Sequence, residues 1–277
     1  MRRTLTTPGV ALSGGGASPP EEARLNRPRE PLPTDVGSLP DLPAAYEREL
    51  ERCLEALGLT LPPGARATLD GHVRLLLAWT GAINLTSITE PAAVARLHVA
   101  DSLAAIPLVL AGPHATLVDI GTGGGFPGLP LAAVLPSTRV TLADSIAKKV
   151  AFLEAARRAL GLADRVDALV TRAEGLAPGG WDVVTARAVG ALDDLVEIGL
   201  PLLAPGGRLI AWKRGDIGGE LDAGGRAAAA LGGSSPEVRP LPAATGLAGH
   251  VLVVVTKARP TPEGYPRDPA ARRRRPW

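Results

Sequence analysis

The sequence predicts an α/β fold, a mostly parallel sheet covered by helices on both faces and preceded by extra helices. Three observations predict it. Short apolar runs alternate with helical periods from residue 117 to residue 257. The first of these runs is broken by a glycine cluster, and the second ends on an acid. The stretch ahead of them shows helical spacing alone.

In chain order, residues 1–40 hold Gly14-Gly15-Gly16, Pro19-Pro20 and further prolines without an apolar period, which reads as a disordered extension. A helical part, 41–110, follows. Tyr46, Leu50, Leu54 and Leu57 recur at helical spacing up to Gly58, a candidate C-cap, and a second helix is expected from about Pro63 to Trp79. Thr89-Glu90-Pro91 should open a third, with the Thr89 hydroxyl as N-cap and proline in the first turn. In that helix His98, Asp101 and Ser102 share a face. They form either a buried polar cluster tying the helix to the sheet or a wall of the active site.

The sheet domain should span 111–259. Strands are expected at 117–120, 139–143, 167–171, 181–186, 208–213 and 250–257, with helices at 145–160, 191–203 and 219–231 between the later ones. Ligands of such sheets sit at the carboxyl ends of the strands, where Gly121, Asp144, Glu174 and Arg187 would gather. The tail, 260–277, ends in a run of arginines, Arg272 to Arg275, either a solvated tail or an RNA grip.

Composition narrows the function. A single cysteine, Cys53, excludes an internal disulfide and fits a reducing compartment, and its place in an apolar helix makes it a core residue. No apolar run is long enough to cross a bilayer and no signal core follows the first arginines, so a cytoplasmic protein without a membrane partner is expected. A net charge of +2 does not announce nucleic-acid binding. The chain lacks a Ser-His-Asp order, a Cys-His pair, an HExxH motif and a cluster of metal ligands.

The order strand, Gly121-Thr122-Gly123-Gly124-Gly125, helix, strand, Asp144 describes a nucleoside pocket. Glycines let backbone approach a ligand, and an acid at a strand tip can accept from ribose hydroxyls. Two cofactors fit. A dinucleotide fingerprint begun at Gly121 would need glycine where Phe126 stands. Begun at Gly123 it closes on Gly128, but Pro127 intervenes and the acid follows too soon. With no second phosphate loop, these features favour S-adenosylmethionine over NAD.

The run Val118-Asp119-Ile120-Gly121-Thr122-Gly123-Gly124-Gly125-Phe126-Pro127-Gly128-Leu129-Pro130-Leu131 resembles the signature of the bacterial RsmG (GidB) family. So do Asn84-Leu85-Thr86-Ser87-Ile88, His98 with Asp101-Ser102-Leu103, Asp144-Ser145 with Lys148-Lys149, Arg172-Ala173-Glu174, Ala186-Arg187-Ala188 and Tyr265-Pro266-Arg267, in the family's order from about residue 45 onward. The resemblance implies a Rossmann-like class I methyltransferase with a seven-stranded sheet. It implies transfer of a methyl group from S-adenosylmethionine to the N7 of a guanine in 16S ribosomal RNA, with the small subunit as partner and a monomer as the working form. Carried over by position, Gly121, Gly123, Phe126, Asp144, Ser145, Ala173, Glu174 and Arg187 would hold the cofactor, and Arg187 would also serve catalysis. Lys148, Lys149, Lys213 and Arg267 would contact RNA. Gly124 stands where relatives often have Pro, Ala or Ser, and Arg214 separates a lysine and glycine usually adjacent. An NAD-dependent oxidoreductase and a non-enzymatic ribosome-binding factor remain the rival readings.

Overall fold

The computed structural model describes residues 32–277, so the expected extension lies outside the described residues up to residue 31. Pro33–Trp277 form one compact unit. Its packed part starts earlier than expected: Pro33 O accepts from Trp79 Nε1 at 2.7 Å, and Leu39 O accepts from Arg74.

Helix α1 (Ala44–Leu57) and helix α2 (Ala65–Ile83) take the predicted positions, α2 running four residues further than its apolar pattern. Gly58 closes α1 in the left-handed region (φ 64°), which costs a glycine little. The next helix is broken into α3 (Pro91–Val94), a π-helical stretch (Ala95–Ala100), α4 (Asp101–Leu103) and α5 (Ile106–Leu110). Its N-cap is not Thr89. Glu90 accepts from the amides of Ala92 and Ala93, because a carboxylate one residue later reaches two orphan amides where a hydroxyl reaches one. By length and hydropathy Pro91–Leu110 could cross a membrane, although Arg96, His98 and Asp101 interrupt its apolar run. More than half of it is buried inside the fold, and it carries the buried Asp101, as suits a core helix.

The sheet comprises β1 (Thr116–Ile120), β2 (Arg139–Asp144), β3 (Val166–Val170), β4 (Trp181–Arg187), β5 (Leu203–Arg214), β6 (Glu237–Pro240) and β7 (His250–Thr256), in the order β3-β2-β1-β4-β5-β7-β6. Pairs among β1 to β5 are parallel, and β7 runs antiparallel to β5 and β6. Strand β6 was not foreseen. It is an edge strand, mostly exposed, without a buried face to impose alternation. Helices α6 (Gly128–Val134), α7 (Ala147–Ala159), α8 (Leu192–Gly199) and α9 (Gly218–Leu231) cover the sheet, and the apolar sides of α8 and α9 meet Val118, Ile120, Val184 and Leu209 in a continuous core. The order reverses between β1 and β4, the switch point of such sheets, so the carboxyl ends of β1, β2 and β4 open one crevice.

The basic tail is docked. Helix α10 (Pro269–Arg274) is capped by Asp268, whose carboxylate accepts from the Ala271 amide at 2.7 Å. Arg267 is tied to Glu197 of α8, a fully buried carboxylate that accepts from its amide, Nε and Nη2 and from Trp277 Nε1. Burial would raise this carboxyl, but the hydrogen bonds from Arg267 and Trp277 outweigh it and hold the acid below its usual range. A folded pKa below the unfolded one adds stability above the unfolded value and loses it as pH falls through the folded one. Glu197→Gln should therefore lower the denaturation midpoint at pH 7, and the gap to wild type should narrow below about pH 4. An equal gap at both pH values would contradict this.

Candidate active site

Two cavities open beside the glycine loop. The larger, about 590 Å³, is lined by Thr86, His98, Asp101, Gly121 to Gly124, Phe126, Lys149, Arg187, Trp212, Lys213 and His250, among others. The smaller, about 330 Å³, is lined by Gly121, Ser145, Thr171 to Glu174, Val189, Asp194 and Arg272. Gly121 and Gly190 border both.

The loop owes its shape to backbone only glycine takes readily: Gly121, Gly123 and Gly125 have φ of 67°, 59° and 87°. A Cβ on Gly121 would meet Val189 Cγ2 at 2.7 Å, so the loop after β4 lies directly over it. Ala188, at φ 58°, carries that loop across. Asp119 at the end of β1 ties the far side. It is fully buried, accepts from the Gly128 amide (2.9 Å) and the Thr185 hydroxyl (2.9 Å), and burial pushes its carboxyl up to about 6.

Asp144 lies behind the loop and not on the lining of either cavity. Its oxygens accept from the amides of Gly123 (3.0 Å) and Ile146 (2.9 Å), lacing the glycine loop to the turn before α7. Ser145 beside it is exposed and lines the smaller cavity. Ala173 and Glu174 also line that cavity, and Glu174 is paired with Arg272 of the tail at 2.6 Å.

In the larger cavity Arg187 lies beneath the π stretch. Its Nη1 donates to Asp101 Oδ2 (2.9 Å) and to the carbonyl of Leu97 (3.2 Å). Asp101 is 2% exposed, and its other oxygen accepts from His250 Nδ1 at 3.0 Å. The polar cluster thus has both expected roles: it ties the helix to β4, and it walls the cavity. Phe126 stacks on His98 (centroids 4.6 Å apart, 14° between planes) and faces the Arg187 guanidinium at 5.3 Å. Burial first, then Arg187, pushes His98 down to about 3; burial pushes His72, which meets the Gly124 carbonyl at 2.8 Å, down to about 4. Both rings are neutral at physiological pH. Neither His72 nor His250 carried a sequence signal, since each stands alone in an apolar period.

Of the four cations expected at RNA, Lys148 is exposed and Lys149 reaches the cavity. The other two are paired with acids of the chain. Lys213 Nζ is held by the Gly190 carbonyl (2.6 Å) and Glu220 (2.5 Å), and Arg267 by Glu197. Glu220 lies on α9, seven positions after Lys213, and Glu197 on α8, 70 positions before Arg267.

The lining fits a nucleoside cofactor. Gly121 and Gly123 both border the larger cavity, and a Cβ on Gly123 would stand in open space, with only the Gly121 carbonyl within 4 Å, so the missing side chain leaves room for a ligand against the loop backbone. Comparison with known proteins agrees with this geometry. The family model described as "rRNA small subunit methyltransferase G" matches residues 65–239. A "Ribosomal RNA small subunit methyltransferase G" from Symbiobacterium thermophilum is 36% identical over 80% of this chain and 94% of its own. The protein of that name from Roseiflexus castenholzii is 41% identical over 79% and 94%, and that from Anaeromyxobacter dehalogenans 42% identical over 66% and 86%. With the seven-stranded sheet, the glycine loop and these matches in agreement, the chain belongs to the rRNA small subunit methyltransferase G family.

Proposed function

We propose that this protein methylates the N7 of a guanine in 16S ribosomal RNA, acting on the small subunit, in the cytoplasm, as a monomer. Membership of the family makes it an S-adenosylmethionine-dependent rRNA methyltransferase. The observation that supports the finer reading is the pair of cavities meeting at Gly121. The smaller, with Ser145, Ala173 and Glu174, suits the nucleoside of the cofactor. The larger, apolar at Phe126 and Trp212 and cationic at Lys149 and Arg187, suits an RNA base and its phosphate.

Gly121, Gly123, Phe126, Ser145, Ala173 and Glu174 would hold the cofactor, with Asp144 fixing the loop from behind. Arg187 sets the wall of the base cavity. When bound, S-adenosylmethionine supplies an electrophilic methyl group on a sulfonium sulfur. Guanine N7 has a free in-plane lone pair and loses no proton on attack, so the chain needs no general base. What these residues contribute is alignment and exclusion of water. Lys148 and Lys149 would meet the RNA backbone.

The rival cofactor gives the test. Saturating S-adenosylmethionine at about a hundred times its Kd should raise Tm by about 5 °C or more, and NAD should leave it unchanged. Protection by NAD alone would replace this reading with an oxidoreductase.

A further inference from the structure

We propose that the Thr86 hydroxyl reads the base to be methylated, donating a hydrogen bond to guanine O6; this rests on the reading above. Thr86 Oγ1 lies 2.7 Å from His98 Nε2 and 3.0 Å from the Ile88 amide. The direction of the first bond is set on the far side of the ring. Arg187 Nη2 lies 3.5 Å from His98 Nδ1, and a guanidinium has no lone pair with which to accept. Nδ1 therefore accepts, the ring proton sits on Nε2, and Nε2 donates to Thr86. Burial keeps the ring from taking a second proton, and Phe126 stacked on it fixes its plane.

A threonine hydroxyl has two lone pairs and one proton. His98 fills one lone pair and the Ile88 amide the other. The proton has no acceptor among the described residues, and Thr86 lines the larger cavity. A group that elsewhere could donate or accept is here a donor only. Asp101 anchors the far end of this relay by holding Arg187 at 2.9 Å.

The chemistry of the purines makes such a donor selective. Guanine and adenine both offer N7, so attack through N7 does not separate them. Beside N7 guanine presents the O6 acceptor and adenine an amino donor. A donor-only hydroxyl pairs with the first and opposes the second, and a base that covers Thr86 without accepting its proton leaves that donor unpaired. Two cations of this wall are committed, Arg187 to Asp101 and carbonyls, and Lys213 to Gly190 and Glu220.

The experiment compares wild type, Thr86→Val and Thr86→Ser for methyl transfer from labelled S-adenosylmethionine into small-subunit RNA, then into the same RNA with the labelled guanine changed to adenine. Thr86→Val keeps the branched shape and loses the donor. It should transfer to guanine about tenfold more slowly or worse, with S-adenosylmethionine affinity unchanged and the guanine-to-adenine rate ratio reduced. Thr86→Ser should stay within about threefold of wild type. Wild-type transfer by Thr86→Val, or a Thr86→Ser as slow as the valine variant, would overturn the assignment while leaving the RNA reading in place. Wild-type protein that puts no label in RNA would overturn both.

Discussion

Arg187→Ala should lower methyl transfer into RNA by about a hundredfold and cost the fold about 3 kcal/mol, the loss expected when one partner of a buried ion pair is removed. The geometry gives the reason. Asp101 is 2% exposed and would keep only His250, while the Leu97 carbonyl would lose its side-chain donor and the His98 carbonyl would be left with the Ser102 hydroxyl. His98 Nδ1 would lose the contact that sets its tautomer, so the wall of the base cavity would loosen with the fold. Adding Asp101→Asn should return part of the stability, since no carboxylate is then left buried and unpaired, without returning transfer. Chemical denaturation of the three proteins checks the first part and single-turnover transfer the second. An Arg187→Ala protein with an unchanged midpoint would refute the ion-pair account.

Asp144→Ala should weaken S-adenosylmethionine binding by at least about tenfold, because two charge-assisted hydrogen bonds to the backbone are lost at the loop that forms the cradle. The carboxylate is absent from the lining of both cavities, so its effect runs through the Gly123 amide. Asp144→Asn, which keeps one acceptor oxygen, should fall between wild type and alanine. Calorimetric titration with S-adenosylmethionine checks the order. Equal affinity for all three proteins would remove the lacing role.

These sites were legible in the sequence to the extent that local chemistry wrote them there. The glycine loop and Asp144 could be read because positive φ selects glycine and because a strand must end where its apolar run does. The parallel order followed from strands alternating with helices. The ion pairs of Lys213 and Arg267 are not legible in the sequence, because a cation there looks available until its acid is found, and Glu197 lies 70 positions from Arg267. The arginine tail was read as open between two fates for a related reason. Its docking depends on Glu174, Asp194 and Glu197, which only the closed sheet presents together. His72 and His250 contribute by burial, which a solitary histidine in an apolar period does not announce.

Methyl transfer to one guanine is open to measurement on the ribosomal subunit itself. Small subunits from cells lacking this gene would be incubated with labelled S-adenosylmethionine and the protein, with Asp144→Ala as control, and the label located by digestion and mass spectrometry. The account predicts label on the N7 of a single 16S guanine with wild type and strongly reduced label with Asp144→Ala. Label on another atom or base, or none in any RNA from a protein that binds S-adenosylmethionine, would contradict it.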